Sequence, residues 1–472
     1  MGGLAAIARQ AGHRVTGCDA NVYPPMSEQL RALGIDFLEG FSASQCALKP
    51  DLYVVGNVVS RGNPLMEAIL DARLPFTSGP QWLGEHVLAS RPVLAVAGTH
   101  GKTTTTALST YLLRNCLGAD VGYLIGGVAH DFAASGSLGA SSQPFVIEAD
   151  EYDTAFFDKR SKFMHYRPTV AVLNNLEFDH ADIFPDLAAI EWQFHQLLRT
   201  MAARAVLVVP AAPGSGEALE RVLSRGCWST VRRFGAPGHG LWAHTRAHAA
   251  SGQRFALMEG STPLGEASLR LAGDHNLHNA LAALTAVRAF GVEPQAALQA
   301  LEGFAGVRRR LELRGTVGGV QVYDDFAHHP TAIEASVRAL LAQGDQRVLA
   351  VVEPRSNTMK LGTMAARLPA SLEGAARVYC YSASLGWDVA AALAPLGDRA
   401  TVRADVGELV EAVVAEAHAG DRVLVMSNGA FAGIHGRLLE ALAVRGPAAL
   451  PAAGPPAAGL PSAGQPALGA QR

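Results

Sequence analysis

The sequence predicts an α/β protein with about three domains, and two features of the chain support this. The chain has 472 residues, and at roughly 150 residues per domain this length predicts about three domains. Short apolar segments of strand length are each followed by a segment with helical spacing, from one end of the chain to the other. This alternation is typical of domains that have mostly parallel sheets covered by helices.

The first two domains follow from the first few apolar segments. The first domain is predicted to span residues 1–90. The second is predicted to span residues 91–303, and it opens with residues 93–97, which are apolar on both faces, as expected of a strand covered by helices on both sides. Strands of the first domain are expected at residues 15–18, 52–55 and 75–78.

The alternation continues to the end of the globular part of the chain. Residues 226–275 break into short alternating pieces, which predict a small antiparallel insert, and residues 278–290 predict a helix that ends at Gly291. A third domain is predicted over residues 304–445. Residues 446–472 are Pro, Ala and Gly with almost no charge, and they predict a disordered tail. Further strands are expected at 145–147, 170–173, 205–209, 320–323, 348–352, 378–381 and 423–426.

The composition excludes several classes of protein. Lys and Arg number 39 against 42 Asp and Glu, a net charge of -3, which is too even a balance for a chain that coats nucleic acid or an acidic membrane. The five cysteines form no CxxC pair, which argues against a disulfide framework or a zinc site. No apolar segment reaches the roughly 18 residues of a membrane helix, and no basic leader opens the chain. We therefore predict a cytoplasmic protein with small-molecule partners, no nucleic acid and no membrane.

A glycine-rich segment follows residues 93–97 directly and precedes a helical pattern. Glycines let backbone amides wrap around phosphate oxygens, Lys102 can reach the outer phosphates, and the Thr103 hydroxyl can bind Mg²⁺. The strict phosphate-loop pattern has a further glycine where this chain has Val96, so the motif departs by one residue. We predict that a nucleotide triphosphate with Mg²⁺ is bound here by Gly98, Thr99, His100, Gly101, Lys102, Thr103 and Thr104.

Two more polar segments follow neighbouring apolar strands. In an open parallel sheet, ligands gather at the carboxyl ends of the strands. Glu148 follows the strand at 145–147, and the strand at 170–173 leads to Asp179 and His180. A carboxylate and an imidazole at this edge could complete a metal shell around nucleotide phosphates. The alternatives are a solvated turn for Glu148 and an ordinary ion pair for His180.

Taken together, these motifs resemble the Mur ligase family, the ATP-dependent amide ligases of peptidoglycan metabolism. The resemblance implies a three-domain Mur ligase architecture, with a Rossmann-like first domain for a UDP-sugar, a central P-loop ATPase-type parallel sheet, and a Rossmann-like third domain for a peptide. The matching segments are GTHGKTT at 98–104, EADEYD at 148–153, Asp179 and His180, GDHNLHN at 273–279, Arg308 to Arg310, and YDDFAHHPT at 323–331.

The resemblance also implies a role for each motif. Lys102 and Thr103 would contact the phosphates of ATP and Mg²⁺, and Glu148 and His180 would be metal ligands. Lys102, Glu148 and His180 would form the catalytic group.

Other residues would hold the rest of the nucleotide. Asn276 and Asn279 would hold the adenine, although helix capping remains the alternative for both. By alignment Arg309 or Arg310 would contact a phosphate at the hinge before the third domain, with Arg309 taken as the cofactor contact. Asp325 would contact ribose or phosphate from the third domain.

Within the family, residues 148–168, 175–184 and 353–360 most resemble members that act on a murein tripeptide. The implied reaction joins L-Ala-γ-D-Glu-meso-diaminopimelate to UDP-N-acetylmuramate through an acyl phosphate, in peptidoglycan recycling. Closure of the third domain over ATP is expected, and so is a monomer or a weak oligomer.

Four residues after a strand of the third domain are candidates for the peptide site. The guanidinium of Arg355 could bind a peptide carboxylate in a bidentate way, and Ser356, Asn357 and Thr358 offer further hydrogen bonds. A structural ion pair is the alternative for Arg355.

Two alternative functions remain open. One is a UDP-N-acetylmuramate:L-alanine ligase of the same fold, which would favour a smaller amino-acid pocket. The other is a nucleotide-binding module without ligase activity. This second alternative arises because residues 1–3 are similar to the remnant of a glycine-rich turn that follows the family's first strand, and without that strand the UDP site would be incomplete.

Overall fold

The computed structural model describes residues 1–20, 22, 26–211, 216–249 and 252–446 of the chain. The predicted tail therefore lies outside the described residues, apart from Gly446. Within the described part of the chain, no helix is both long and apolar enough to cross a lipid bilayer.

Residues near the amino terminus form short strands between helices. Two parallel pairs are present, β1 with β2 and β3 with β4. Helix α3 begins where Asn63 accepts a hydrogen bond from the Met66 amide and Pro64 occupies the first turn. The elements are α1 (Gly2–Gln10), β1 (Thr16–Asp19), α2 (Met26–Ala32), β2 (Asp36–Glu39), β3 (Tyr53–Val55), α3 (Pro64–Asp71), β4 (Phe76–Ser78) and α4 (Gly79–Leu83).

The middle of the chain forms a ten-stranded sheet. Its strands are β5 (Val93–Ala97), β6 (Gly122–Leu124), β7 (Gly136–Ser137), β8 (Phe145–Glu148), β11 (Val170–Leu173), β12 (Val206–Pro210), β13 (Thr230–Phe234), β14 (Leu241–Ala249), β15 (Gly252–Glu259) and β16 (Thr262–Leu269), and a separate hairpin is formed by β9 (Asp153–Ala155) and β10 (Asp158–Ser161). The helices are α5 (Lys102–Leu117), α6 (Leu187–Thr200), α7 (Gly216–Ser224), α8 (Asp274–Val287) and α9 (Pro294–Leu301).

The order of this sheet explains why β5 is apolar throughout. The order is β16-β15-β14-β13-β12-β11-β5-β8-β6-β7, so β5 is central and pairs in parallel with β11 and β8. Leu94 and Val96 pack into the core that contains α5 and α8, whereas Val93, Ala95 and Ala97 pack into the core on the opposite face. Both faces of the strand are therefore covered, as its sequence predicts.

The antiparallel pairing predicted for residues 226–275 is confirmed. Strands β14, β15 and β16 pair antiparallel to one another and extend the main sheet beyond β13. The helix expected at 278–290 begins earlier, at Asp274, and its last turn tightens over Arg288–Phe290 before Gly291, which has a φ of 85°. The predicted end at Gly291 is confirmed.

The last part of the described chain forms a six-stranded sheet in the order β17-β18-β22-β19-β20-β21. All neighbours are parallel except β17, which is antiparallel to β18. The strands are β17 (Glu312–Val317), β18 (Val320–Asp325), β19 (Val348–Val352), β20 (Arg377–Tyr381), β21 (Ala400–Arg403) and β22 (Arg422–Met426). The helices are α10 (Pro330–Leu341), α11 (Asn357–Lys360), α12 (Leu368–Ser371), α13 (Val389–Leu393), α14 (Val406–Glu416) and α15 (Ile434–Arg445).

Candidate functional site

The glycine-rich segment forms a loop between β5 and α5. Gly98 and Gly101 have φ angles of 133° and 79°, a region in which other residues are strained. A Cβ at Gly98 would lie 2.9 Å from the Asn175 carbonyl oxygen, so the loop also needs glycine for its close approach to the next strand end. The His100 amide donates to Asn175 Oδ1 at 2.8 Å. The loop is thus fixed in shape, with the amino-terminal end of α5 facing it.

The side chain of Lys102 is enclosed by oxygen atoms. Its Nζ donates to the Gly98 carbonyl at 2.7 Å and to Glu151 Oε2 at 2.7 Å. Burial lowers the pKa of Lys102, but the charges of Glu151 and Asp150 outweigh burial and raise it. Lys102 is therefore a positive charge held at the loop, as phosphate binding requires.

Thr103 and Glu148 place two hard oxygen ligands side by side. Thr103 Oγ1 lies 3.1 Å from Glu148 Oε1, and Glu148 Oε2 accepts from the Gly126 amide at 2.7 Å. Burial raises the pKa of Glu148, and the Gly126 amide with the charges of Lys102 and Arg310 offsets the effect of burial only in part. A divalent cation next to the hydroxyl and the carboxylate would offset the remainder of that effect.

His180 lies beside two acidic residues of the EADEYD segment. Its Nε2 is 3.5 Å from Glu151 Oε1, and ligand atoms of Asp150, Glu151 and His180 all lie within 4.8 Å of one another. Burial lowers the pKa of His180, but Glu151 and Asp179 outweigh burial and raise it. His180 has a φ of 55° although it is not glycine, a strain that is frequent at functional sites.

These neighbours show which residues the sequence analysis missed. It took only Glu148 from the EADEYD segment as a ligand, whereas Asp150 and Glu151 also face the loop, where they hold Lys102 and His180. The sequence did contain a signal for them, because Glu148, Asp150 and Glu151 lie within four positions at the end of a buried strand. Sequence alone does not tell which of them turn toward the loop.

Asn276 and Asn279 are buried in the first turns of α8, beneath the loop. Asn279 Oδ1 accepts from Asn174 Nδ2 at 2.8 Å and from Thr105 Oγ1 at 3.3 Å. Asn276 Nδ2 donates to the Ala272 carbonyl at 2.8 Å. The helix is preceded by Gly273 with no side-chain cap, so neither asparagine caps α8. Asn279 lies directly against the loop at Gly101, and Asn276 contacts Asn279. The contact of both residues with adenine stays a prediction.

The arginine that reaches the phosphate loop is Arg310. Its Nη2 lies 3.3 Å from Thr103 Oγ1. The Arg309 guanidinium instead donates to the carbonyls of Ser427 and Gly429, both at 2.7 Å. The side chains of Arg309 and Arg310 point in different directions, and Arg309 has a left-handed backbone φ of 60°. The phosphate contact expected of Arg309 or Arg310 stays a prediction, and Arg310 is the one whose side chain reaches the loop.

Asp325 is occupied by contacts within the third domain. Its Oδ2 accepts from the Leu311 amide at 2.7 Å, and its Oδ1 accepts from the Ala327 amide at 2.7 Å and from Ser336 Oγ at 3.2 Å. The side chain is buried. These contacts hold the loop after β18 against the segment that carries Arg310, and the ribose or phosphate contact expected of Asp325 stays a prediction.

The third domain contacts the central sheet through the candidate peptide residues. Thr358 Oγ1 donates to Asp179 Oδ1 at 2.7 Å, and Asn357 Nδ2 donates to Asp182 Oδ2 at 2.8 Å. Ser356 caps α11 by accepting from the Met359 amide at 3.3 Å. These three side chains have partners in the protein, and their binding of a peptide stays a prediction.

Arg355 has the weakest contacts of the four candidate peptide residues. It lies 3.9 Å from Glu353 with half of its side chain exposed, too loose for a strong structural ion pair. It faces a cavity of about 380 Å³ between the central sheet and the third domain. The residues around this cavity are Asp179, His180, Asp182, His328, Arg355, Ser356, Asn357, Thr358, Lys360 and Asn428.

Comparison with known protein families matches three consecutive parts of the chain. Residues 1–91 match the catalytic domain of the Mur ligase family, residues 96–287 match the Mur ligase middle domain, and residues 309–429 match the glutamate ligase domain of Mur ligases.

Individual proteins resemble the chain over nearly its whole length. It is 49% identical over 452 residues to the UDP-N-acetylmuramate–L-alanyl-γ-D-glutamyl-meso-2,6-diaminoheptandioate ligase of Escherichia coli, with 95% of this chain and 97% of that protein covered. A murein peptide ligase from Psychrobacter arcticus is 41% identical with a TM-score of 0.72, over 94% of this chain and 96% of the other. The UDP-N-acetylmuramate–L-alanine ligase of an Arthrobacter species is 33% identical over 466 residues, with 94% of each covered.

Proposed function

The chain belongs to the Mur ligase family, and on that premise we propose that it joins L-alanyl-γ-D-glutamyl-meso-diaminopimelate to UDP-N-acetylmuramate while converting ATP to ADP and phosphate. One observation carries the proposal. Lys102 and the Thr103–Glu148 pair lie at the carboxyl edge of the central sheet, beside the cavity that the third domain closes.

The reaction must make a carboxylate reactive at neutral pH. A carboxylate oxygen of the muramate attacks the γ-phosphorus of ATP, the bond to the bridging oxygen breaks, and ADP leaves. The tripeptide amine then attacks the carbonyl carbon of the acyl phosphate, a C–N bond forms, inorganic phosphate leaves, and the amine loses a proton. Catalysis here consists mainly of positioning and of neutralising charge.

Lys102 and Arg310 supply positive charge on two sides of the loop. Lys102 would hold the outer phosphates from the central sheet, and Arg310 would do so from the segment that leads into the third domain. The Lys102 ammonium and the Arg310 guanidinium are held in place before the nucleotide binds. These side chains therefore need little reorganisation when charge moves in the transition state.

Mg²⁺ fits the donors that are present. The Thr103 hydroxyl and the Glu148 carboxylate are hard oxygen ligands next to each other, with His180 nearby beside Asp150 and Glu151. Thr103 and Glu148 would hold one ion, and the group around His180 could hold a second. When bound, Mg²⁺ would neutralise phosphate charge. Lys102 and Arg310 would neutralise further phosphate charge with their side chains.

The cavity beneath α11 is the proposed peptide site. Its volume of about 380 Å³ falls within the roughly 300–1,000 Å³ of pockets that bind ligands of drug size. Arg355 would bind a carboxylate of the tripeptide there, since its guanidinium is weakly paired. Closure would exclude water from the acyl phosphate, because Asn357 and Thr358 tie the third domain to the edge that carries His180.

A phosphate-release assay tests the assignment. With ATP, Mg²⁺ and UDP-N-acetylmuramate present, we expect phosphate to appear when the tripeptide is added and not when L-alanine is added. Release with L-alanine alone would favour the alanine ligase, whose named relative is less similar to this chain. ATP binding without release in either mixture would favour a module that only binds nucleotide.

A further inference from the structure

A second lysine lies beside the phosphate loop and has no role in the reaction described so far. Lys162 Nζ donates to Asp150 Oδ2 at 2.6 Å, and Asp150 Oδ1 lies 3.7 Å from Lys102 Nζ. One carboxylate therefore lies between two ammonium groups.

Lys162 is delivered to this position by the hairpin β9–β10. The chain leaves β10 at Ser161, and the Lys162 amide donates to the Tyr152 carbonyl at 3.1 Å. The Lys162 ammonium lies 5.5 Å from the centre of the Tyr152 ring. Tyr152 in turn donates to Asp182 Oδ2 at 2.5 Å. The lysine is thus held at its base and along its stem, and 21% of its side chain is exposed.

The same hairpin faces the amino-terminal domain, where the UDP-sugar is expected. The Phe157 ring lies 5.0 Å from the Phe76 ring of β4 in an edge-to-face arrangement. Phe156 packs against the core formed by Val55, Leu65, Met66 and Ile69. The hairpin that leads to Lys162 therefore contacts the amino-terminal domain, while Lys162 itself lies beside the Asp150–Lys102 contact at the phosphate loop.

Lys102 Nζ has its closest carboxylate contact with Glu151, at 2.7 Å, whereas Lys162 pairs with Asp150 and keeps 21% of its side chain exposed, so Lys162 is the cation that a second anion could reach. In the proposed reaction ATP brings one anion and the muramate carboxylate brings the other, and Lys102 serves the phosphates. We propose that Lys162 binds the muramate carboxylate of the UDP-sugar and positions it for attack on ATP, an assignment that rests on the proposed function. Asp150 holds Lys162 in place until that carboxylate takes over the contact.

Two sugar nucleotides distinguish the carboxylate from the diphosphate as the group that Lys162 binds. UDP-N-acetylglucosamine has the same uridine diphosphate and sugar ring as UDP-N-acetylmuramate but lacks the lactyl carboxylate. Binding of both to the full chain would be measured by titration calorimetry. For Lys162→Met we expect roughly 10- to 100-fold weaker binding of UDP-N-acetylmuramate, as for the loss of one charged hydrogen bond. The affinity for UDP-N-acetylglucosamine should change by less than about twofold.

The hairpin supplies a matched control. Lys159 lies three residues earlier, pairs with Asp153 at 2.6 Å, and has 70% of its side chain exposed. Lys159→Met should leave both affinities unchanged. Lys162→Arg should restore most of the preference for the muramate, because a guanidinium keeps the charge.

Each result decides the question. Equal loss of both sugar nucleotides in Lys162→Met, or no loss of either, overturns the role of Lys162. Because the two ligands are compared within one variant, reduced stability alone cannot produce a selective loss. Failure of the unaltered chain to ligate the tripeptide would instead refute the proposed function. If the unaltered chain ligates the tripeptide and Lys162→Met still prefers UDP-N-acetylmuramate over UDP-N-acetylglucosamine, only the assignment of Lys162 is refuted.

Discussion

At the phosphate loop, one ammonium group faces two carboxylates and two carbonyl oxygens. Lys102 contacts Glu151, Asp150 and the carbonyl of Gly98. Replacing it with alanine removes the charge that would meet the outer phosphates. We expect Lys102→Ala to lower kcat by roughly 100- to 1,000-fold or more, the loss typical of one preorganised electrostatic donor. Steady-state phosphate release measures this, and unchanged turnover would remove the phosphate-loop assignment.

Two neighbouring arginines allow a paired test. Arg310 reaches Thr103, whereas Arg309 binds carbonyls of the third domain. We expect Arg310→Ala to lower kcat at least about tenfold with a small change in the thermal unfolding midpoint. Arg309→Ala should instead lower that midpoint, because it leaves the carbonyls of Ser427 and Gly429 without a partner. The reverse pattern would return the phosphate contact to Arg309.

Strands that are buried on both faces could be predicted from the sequence, whereas more exposed strands such as β2 and β21 could not, and neither could the pairing of the strands. The strand at Val93–Ala97 and the strand at Val170–Leu173 have the predicted bounds, because apolar runs buried on both faces stand out in sequence. The start of α8 at Asp274 was missed, since Gly273 gives no side-chain cap as a signal. The direction of Arg309 depends on a left-handed backbone angle, which no pattern in the sequence indicates.

The contact between α11 and the central sheet has a predictable dependence on pH. Burial raises the pKa of Asp179, but His180, His328 and the Thr358 hydroxyl outweigh burial and lower it to about 2. Because this pKa is below the unfolded value of roughly 3.9, the stabilisation is complete above about pH 4. It is lost as the pH falls toward about 2.

Asp179→Asn removes this titration. We expect the unaltered chain to lose roughly 2 kcal/mol more of its free energy of unfolding than Asp179→Asn over that range. Urea unfolding at several pH values between about 5 and 2.5 measures the difference. Parallel pH curves for the two proteins would show that Asp179 contributes no such stabilisation.

At the scale of the whole molecule, contacts between the central sheet and the third domain surround the candidate site. Thr331 Oγ1 donates to Glu177 Oε2 at 2.6 Å, and Thr358 binds Asp179. This arrangement suits the closed state of a ligase, in which water is excluded from the acyl phosphate. We expect small-angle scattering to show a smaller radius of gyration with ATP analogue and Mg²⁺ than without. No compaction would count against closure driven by nucleotide.

The sequence also predicted the three-part organisation and the meeting of the candidate residues Lys102, Glu148 and His180 at one sheet edge. Alternating strands and helices place their polar ends together, and the phosphate loop marks which edge is used. Contacts between distant segments could not be predicted in the same way. Asn357 with Asp182 and Lys162 with Asp150 join residues whose nearness depends on how the domains pack.

In the proposed reaction, ATP makes the muramate carboxylate reactive by transferring phosphate to it. The most direct test uses UDP-N-acetylmuramate labelled with ¹⁸O in that carboxylate, with ATP, Mg²⁺ and the tripeptide. If an acyl phosphate forms, one labelled oxygen leaves with the phosphate, and mass spectrometry of the released phosphate will show a single ¹⁸O per product formed. Ligated product accompanied by unlabelled phosphate would contradict the account.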